Sequence, residues 1–152
     1  MSQLYNQLKA FFDRDELTYK EVTDDMFLLG FSDEDGNPVQ VQITTFEGDD
    51  YRCVTFASRY VFNLSDVSAY ASRDQLLQFA MCFNAYTRYG ATQLIENDEI
   101  CYSYTLMVGP EGLSEDQYFL QIETLLRYTW IIRNDLRMLI DPEEAELPPY
   151  MH

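Results

Sequence analysis

Histidine is almost missing from this chain of 152 residues: the only one, His152, is the last residue. Its scarcity excludes histidine-based catalytic triads, histidine proton shuttles and multi-histidine metal sites together. Positive charge is scarce as well. Two lysines, Lys9 and Lys20, and eight scattered arginines stand against 26 acidic residues, for a formal net charge of −16. A phosphate-neutralising face needs clustered Lys and Arg, so binding to nucleic acid and to anionic lipid is not expected. Cys53, Cys82 and Cys101 are odd in number, widely spaced and free of any C-x-x-C pattern. Neither a disulfide framework nor a zinc site is expected from them; buried free thiols in the cell interior are. The six glycines form no G-x-G-x-x-G and no P-loop, and Gly109-Pro110-Glu111-Gly112 has no lysine to reach a phosphate. No cofactor is expected. Long apolar runs are missing too: no window approaches the ~18 apolar residues that span a bilayer. The opening MSQLYNQLKAFFDRDE lacks the charged start and apolar core of a signal peptide. The expected location is cytoplasmic.

What the chain does have is apolar and aromatic content, 47% and 15% of its residues. That argues for a folded core despite the charge, and 152 residues make one domain. The expected domain spans 1–140, with an acidic, proline-containing tail over 141–152. The clearest organising stretch is Ile100 to Ile140. Ile100, Tyr102, Tyr104, Leu106 and Val108 alternate with Cys101, Ser103 and Thr105, the pattern of a half-buried antiparallel strand. After the turn GPEGL, Ser114 and Gln117 stand at capping-box spacing. Tyr118, Ile122, Leu125, Leu126, Ile132, Leu136 and Leu139 then form one helical stripe, with Thr129 in its gap. Asp141-Pro142 ends this helix, because the residue before proline avoids the helical region.

Upstream, Leu4, Leu8, Phe11 and Phe12 make an opening helix, with Ser2 as a candidate cap. A first strand runs from Leu17 to Val22. Met26 to Phe31 is apolar on both faces, as a strand covered from two sides would be. Ser32 to Pro38 is a turn, and Val39, Val41 and Ile43 then alternate with Gln40, Gln42 and Thr44. A further acidic turn, Glu47 to Asp50, leads into a strand from Tyr51 to Ser58, extended towards Leu64, and Ser65 to Ala71 is a connector. Ser72 and Gln75 cap a helix that ends before Gly90, with Leu76, Ala80, Phe83 and Tyr86 or Thr87 as its stripe. Thr92 to Glu96 pairs across Asn97-Asp98-Glu99 with Ile100 to Val108. The predicted fold is α+β: an antiparallel sheet of five to six strands with three helices, in the order α-β-β-β-β-α-β-β-α.

Few residue groups suggest chemistry. Asp33-Glu34-Asp35-Gly36 is superficially like a calcium loop, but its glycine comes too early for an EF-hand and no bidentate glutamate follows at the right distance. Acidic residues that solvate a hairpin turn are the commoner case, so no metal site is expected. Cys82 lies among Phe79, Met81 and Phe83 with no histidine to activate it, and reads as an inert core thiol. Tyr128, Trp130 and Ile131 lie off the stripe of the last helix. They either anchor a partner or broaden a helix buried on two sides. The surplus apolar residues Phe27, Phe31, Val54, Phe56, Leu77, Met81 and Trp130 are the candidates for a partner or dimer surface.

Several stretches carry a resemblance. The capped helix from Ser72 to Asn84, the hairpin QLIENDEICYSYTLMVGPEGLS and the helix from Ser114 resemble the YbjN-like proteins, a family of bacterial sensory transduction regulators. MFLLGF and VQVQITTF add to this more weakly, and the order of elements resembles the type III secretion chaperone-like fold. The likeness covers roughly residues 15–140; Arg59 to Ala71, the aromatic load and the tail depart from it. It implies a small acidic protein without enzymatic activity, often a homodimer, that holds a segment of a partner protein. It supplies no catalytic residue. Three functions compete: a homodimeric protein-binding module, a regulatory subunit with no ligand of its own, and a small enzyme using carboxylate or tyrosine groups in a cleft.

Overall fold

The computed structural model describes residues 3–140. The proposed tail, the Ser2 cap and His152 lie outside them. Helix α1 (Gln3–Arg14) is followed by four strands, β1 (Tyr19–Thr23), β2 (Met26–Ser32), β3 (Pro38–Glu47) and β4 (Arg52–Asn63). Then come a single-turn helix α2 (Leu64–Val67), helix α3 (Arg73–Tyr86), strands β5 (Ala91–Ile95) and β6 (Glu99–Val108), and helix α4 (Glu115–Ile140). The six strands form one antiparallel sheet in the order β1-β2-β3-β4-β6-β5. The α+β class and the antiparallel sheet agree with the sequence reading. The connector expected over Ser65 to Ala71 contains the additional helix α2, whose first turn is capped by the Asn63 side chain accepting from the Ser65 N–H.

Register shows which residues share a face. Val41 pairs with Ser58, Ile43 with Phe56 and Thr45 with Val54. Phe56 in turn pairs with Tyr104, and Ser58 with Tyr102. All these side chains lie on the face that carries the helices. Tyr5 of α1 stacks on Phe27 with ring centroids 4.2 Å apart. Thr129 of α4 donates to Ser58 Oγ at 2.7 Å, and Phe79 of α3 meets Phe62 edge-on at 6.1 Å. The core is therefore a single layer between sheet and helices, including Leu8, Phe12, Phe27, Ile43, Phe56, Leu125 and Ile132. The other face of the sheet has no helix on it among the described residues. Strand β2, expected to be covered on both sides, has Phe27 and Leu29 buried but Met26 and Leu28 only half-buried, because they point to the open face.

The acidic turn after β2 is not merely solvated. Asp33 is buried and its Oδ1 accepts the backbone N–H groups of Asp35 and Asn37, 3.0 and 2.9 Å away. Its Oδ2 lies 3.1 Å from Arg133 Nη1. The Arg133 guanidinium also donates to the carbonyls of Pro38, Tyr60 and Val61. Arg127 pairs with Glu34 at 3.1 Å and Arg137 with Asp35 at 2.6 Å. A basic stripe at positions 127, 133 and 137 thus straps the β2–β3 turn to α4. Arg133 also holds the irregular stretch of β4, where the register shifts between Ser58 and Phe62 and Tyr60 takes a positive φ of 54°.

Candidate functional site: a groove between α3 and α4

Helix α3 is built like a core helix and used like an edge. Its capping box is complete: Ser72 Oγ accepts the Gln75 N–H, and Gln75 Oε1 accepts the Ser72 N–H. Asn84 fastens its last turn to β5, with Nδ2 donating to Thr92 O at 3.0 Å and Oδ1 accepting from Thr92 N at 2.7 Å. The chain then reverses at Gly90 (φ +71°), where an added Cβ would lie 2.7 Å from the Ser103 carbonyl and 2.8 Å from the Tyr102 ring. Yet only Leu76 and Ala80 of α3 are buried. Tyr86 is 87% exposed and Met81 70%. The stripe expected through Tyr86 stops at Phe83, which is half-buried, because α3 leans on β5 at the sheet edge and α4 leans on β4 and β6.

The gap between the two helices is a groove of about 490 Å³. Phe79, Cys82, Phe83 and Tyr86 line its α3 side, and Tyr128, Ile131 and Asp135 its α4 side. Aromatic rings back it: buried Tyr102 stacks on Tyr128 at 5.3 Å, and Phe83 meets Tyr102 and Tyr128 edge-on at 6.2 and 6.3 Å. Thr87 and Arg88 complete the lining. Among the described residues Arg88 makes no ion pair, although eight of the ten Lys and Arg side chains do. Cys82, expected as a core thiol, is exposed, while Cys53 and Cys101 are buried. Burial pushes the Cys101 thiol pKa up.

The structure separates the expected surface residues. Phe27, Val54 and Phe56 are core residues, fully enclosed on the helix-bearing side of the sheet, and cannot meet a partner in this chain's folded state. Trp130 is also buried, its indole N–H donating to Asp35 Oδ2 at 3.0 Å, so it belongs to the α4–turn strap. Phe31 and Leu77 are half-buried against the core. Met81 is open to solvent but does not line the groove. The groove's own residues carry a weaker sequence signal: Phe83 and Tyr86 belong to the expected stripe of α3, Phe79 widens it beyond what one contact needs, and Tyr128 and Ile131 leave the α4 stripe.

A second depression, of about 520 Å³, lies beside the start of α4. It has exposed Phe119 and Leu120 among Asp15, Glu115, Asp116 and Glu123. Arg14 bridges Asp15 and Glu115 there. The Arg14 guanidinium holds the Asp15 carboxyl below its usual range, and hydrogen bonds from Tyr5 and Lys9 do the same for Glu21. A general acid needs the opposite shift, so neither of these two is tuned for that role. Among the described residues no three His, Cys, Asp or Glu side chains are placed to hold a metal ion, and no helix is long and apolar enough to cross a membrane. No protein-family model and no curated protein matches this chain. Fold and groove together define an α+β protein with a one-sided antiparallel sheet and an aromatic groove along its helical layer.

Proposed function

We propose that this chain is a non-enzymatic protein-binding module of the cytoplasm, assembling as a homodimer and holding an apolar segment of a partner protein in the α3–α4 groove. The observation that carries this reading is the ring-lined groove itself, which leaves Tyr86 almost fully exposed beside Phe79, Phe83 and Tyr128. Aromatic side chains around a concave surface are the usual anchors of peptide recognition. Arg88, with no ion pair of its own, stands ready for a carboxylate next to the partner's apolar anchors. The resemblance to YbjN-like regulators and to secretion chaperones supports the same reading.

A peptide-display selection tests it. Enriched peptides should share two or three apolar anchors with an acidic neighbour, and should slow the alkylation of Cys82 in the native protein. Their affinity should fall about 10-fold or more in Tyr86→Ala, as for an aromatic anchor in an interface centre, and less in Arg88→Gln. If no peptide is enriched, or if binding is indifferent to Tyr86→Ala and Phe79→Ala, the groove is not a recognition site.

A further inference from the structure

The open face of the sheet differs from the rest of the surface in its charge. Following the register outward from the buried face, it presents Gln40, Gln42 and Thr44 on β3, Thr55 on β4, and Ser103, Thr105 and Met107 on β6, with Cys53 and Ala57 of β4 buried between their neighbours. Leu28, Phe46 and Gln93 extend it. Phe46 is 48% exposed and Met107 60%. In a chain with 26 acidic residues, this face of the strands carries one carboxylate, that of Glu99; Glu21 and Glu47 turn to the helix-bearing side, where they meet α1. It is buried and neutralised by a bidentate pair with Arg59, at 2.7 and 2.9 Å, and Arg59 Nη1 donates on to Gln42 at 2.7 Å. Lys20, at the edge strand, is the other charge, and among the described residues it has no salt bridge. The acidic side chains lie around this face, in the turns at Asp24-Asp25, Asp49-Asp50 and Glu96.

We infer that this sheet face, poor in charge, is where a second copy of the same chain docks, so that the homodimer is a face-to-face pair of sheets. The inference rests on the homodimeric part of the proposed function and names its surface. Two copies each carrying −16 repel wherever their acidic surfaces meet, so a self-interface has to exclude charge. A face with its one acid neutralised meets that condition. Depletion of charge from a patch flanked by Met, Phe and small polar residues is also the compositional mark of an interface centre. A basic partner would gain nothing here, because it would find its complement in the acidic turns.

Size is consistent as well. Eight register pairs join β3 and β4; at about 3.4 Å per residue and about 4.8 Å per strand, the six strands project on the order of 700 Å². That approaches the roughly 800 Å² per partner of a standard interface. Two-fold symmetry sets the same patch against itself, and stacked sheets pack about 10 Å apart through side chains of this length.

Sedimentation equilibrium over a concentration series is the test, with wild type compared with Thr105→Glu, Gln40→Glu and Tyr86→Ala. Thr105 is exposed at the middle of the face and shares a 2.9 Å hydroxyl contact with Thr55. A glutamate there would bury two like charges in the dimer and should weaken it by roughly 100-fold or more. Gln40→Glu, an exposed and nearly isosteric change near the start of β3, should weaken it less and guards against a folding defect in the first variant. Tyr86→Ala should leave it unchanged. Added salt should tighten the dimer, because it screens the acidic turns that repel across the interface. A wild type that stays monomeric would overturn the inference together with the homodimer. A dimer that resists both glutamates, or that dissolves in Tyr86→Ala, would overturn the sheet-face assignment while leaving the homodimer standing.

Discussion

Helices α3 and α4 lie on the same face of one sheet, and the chain uses them in opposite ways. Helix α4 buries Tyr118, Ile122, Leu125, Thr129, Trp130, Ile132 and Leu136, together with the polar Gln121 and Asn134. It is also pinned by side-chain bonds to elements far away in sequence. Arg133 reaches four backbone or side-chain acceptors, and the Thr129 hydroxyl bridges to Ser58. Helix α3 buries two residues and is tied down at its two ends, by the Ser72 cap and by Asn84. Between those ties it presents rings and a thiol to solvent. Apolar content alone does not separate the two helices; what separates them is how many neighbouring elements close over each. The helix at the centre of the layer builds the core, and the one at the β5 edge is left with surface to offer.

The sharpest way to break this comparison is to cut α4 loose from its strap. In Arg133→Ala the Asp33 carboxylate stays buried without its counter-charge, and three carbonyls lose a donor. Removing one partner of a buried pair costs about 3–5 kcal/mol, and that loss should appear as a lower urea midpoint. A change below about 1 kcal/mol would mean that α4 is held by its apolar stripe alone.

Alkaline pH attacks the same well-closed side by another route. Burial pushes Tyr118 of α4 up to about 12, and Tyr5 likewise, helped by its hydrogen bond to Glu21. Tyr19 reaches about 12 chiefly through its hydrogen bond to Asp13. The unfolded chain ionises its phenols near pH 10, so above that pH it has released protons that the folded chain still holds. Stability from these groups is complete below about pH 10 and is lost as the pH rises towards about 12. A phenolate absorbance titration followed in parallel with circular dichroism should show late ionisation coinciding with loss of structure.

Much of the contrast was legible in the sequence, and what was not has a physical reason. Capping boxes at Ser72 and Ser114, the period-two pattern of Val39 to Thr44 and the stripe of the last helix are local signals, and local signals placed the elements. Periodicity shows that a side chain is apolar on one side of an element but not whether anything lies opposite. Phe27, Val54 and Phe56 looked like surplus because their partner, α1 and α4 together, is defined by tertiary packing. Met26 and Leu28 looked fully covered for the same reason, and they are only half-buried. Trp130 and the turn DEDG were each readable as separate features. That one bonds the other across 95 positions of sequence follows from α4 lying over the β2–β3 turn. The groove was the least legible feature, since its two walls come from helices whose spacing the strands set.

Smaller effects sharpen the picture of α3. Ser72→Ala removes one half of the capping box and should cost about 1 kcal/mol, seen as faster amide exchange in the first turn of α3 and little change in α4. Thiol labelling of the native protein makes a complementary measurement. Cys82 should alkylate readily, while Cys53 and Cys101 should wait for unfolding, as their burial dictates. Equal labelling of all three would mean that the sheet and α3 open together.

The smallest expected effect is the most informative about what α3 is for. Met81→Gln and Tyr86→Gln replace the two most exposed apolar side chains of the helix by a polar one with good helical propensity. Neither side chain is buried, so folding loses no apolar burial, and each change should stay within about 0.5 kcal/mol of wild type in chemical denaturation. The two should then differ in binding, because Tyr86 lines the groove and Met81 does not. Tyr86→Gln should abolish capture of groove-selected peptides at unchanged stability, and Met81→Gln should leave it intact. If Met81→Gln destabilises the chain by 1 kcal/mol or more, its side chain is covered in solution, and α3 is a closed helix rather than an open one.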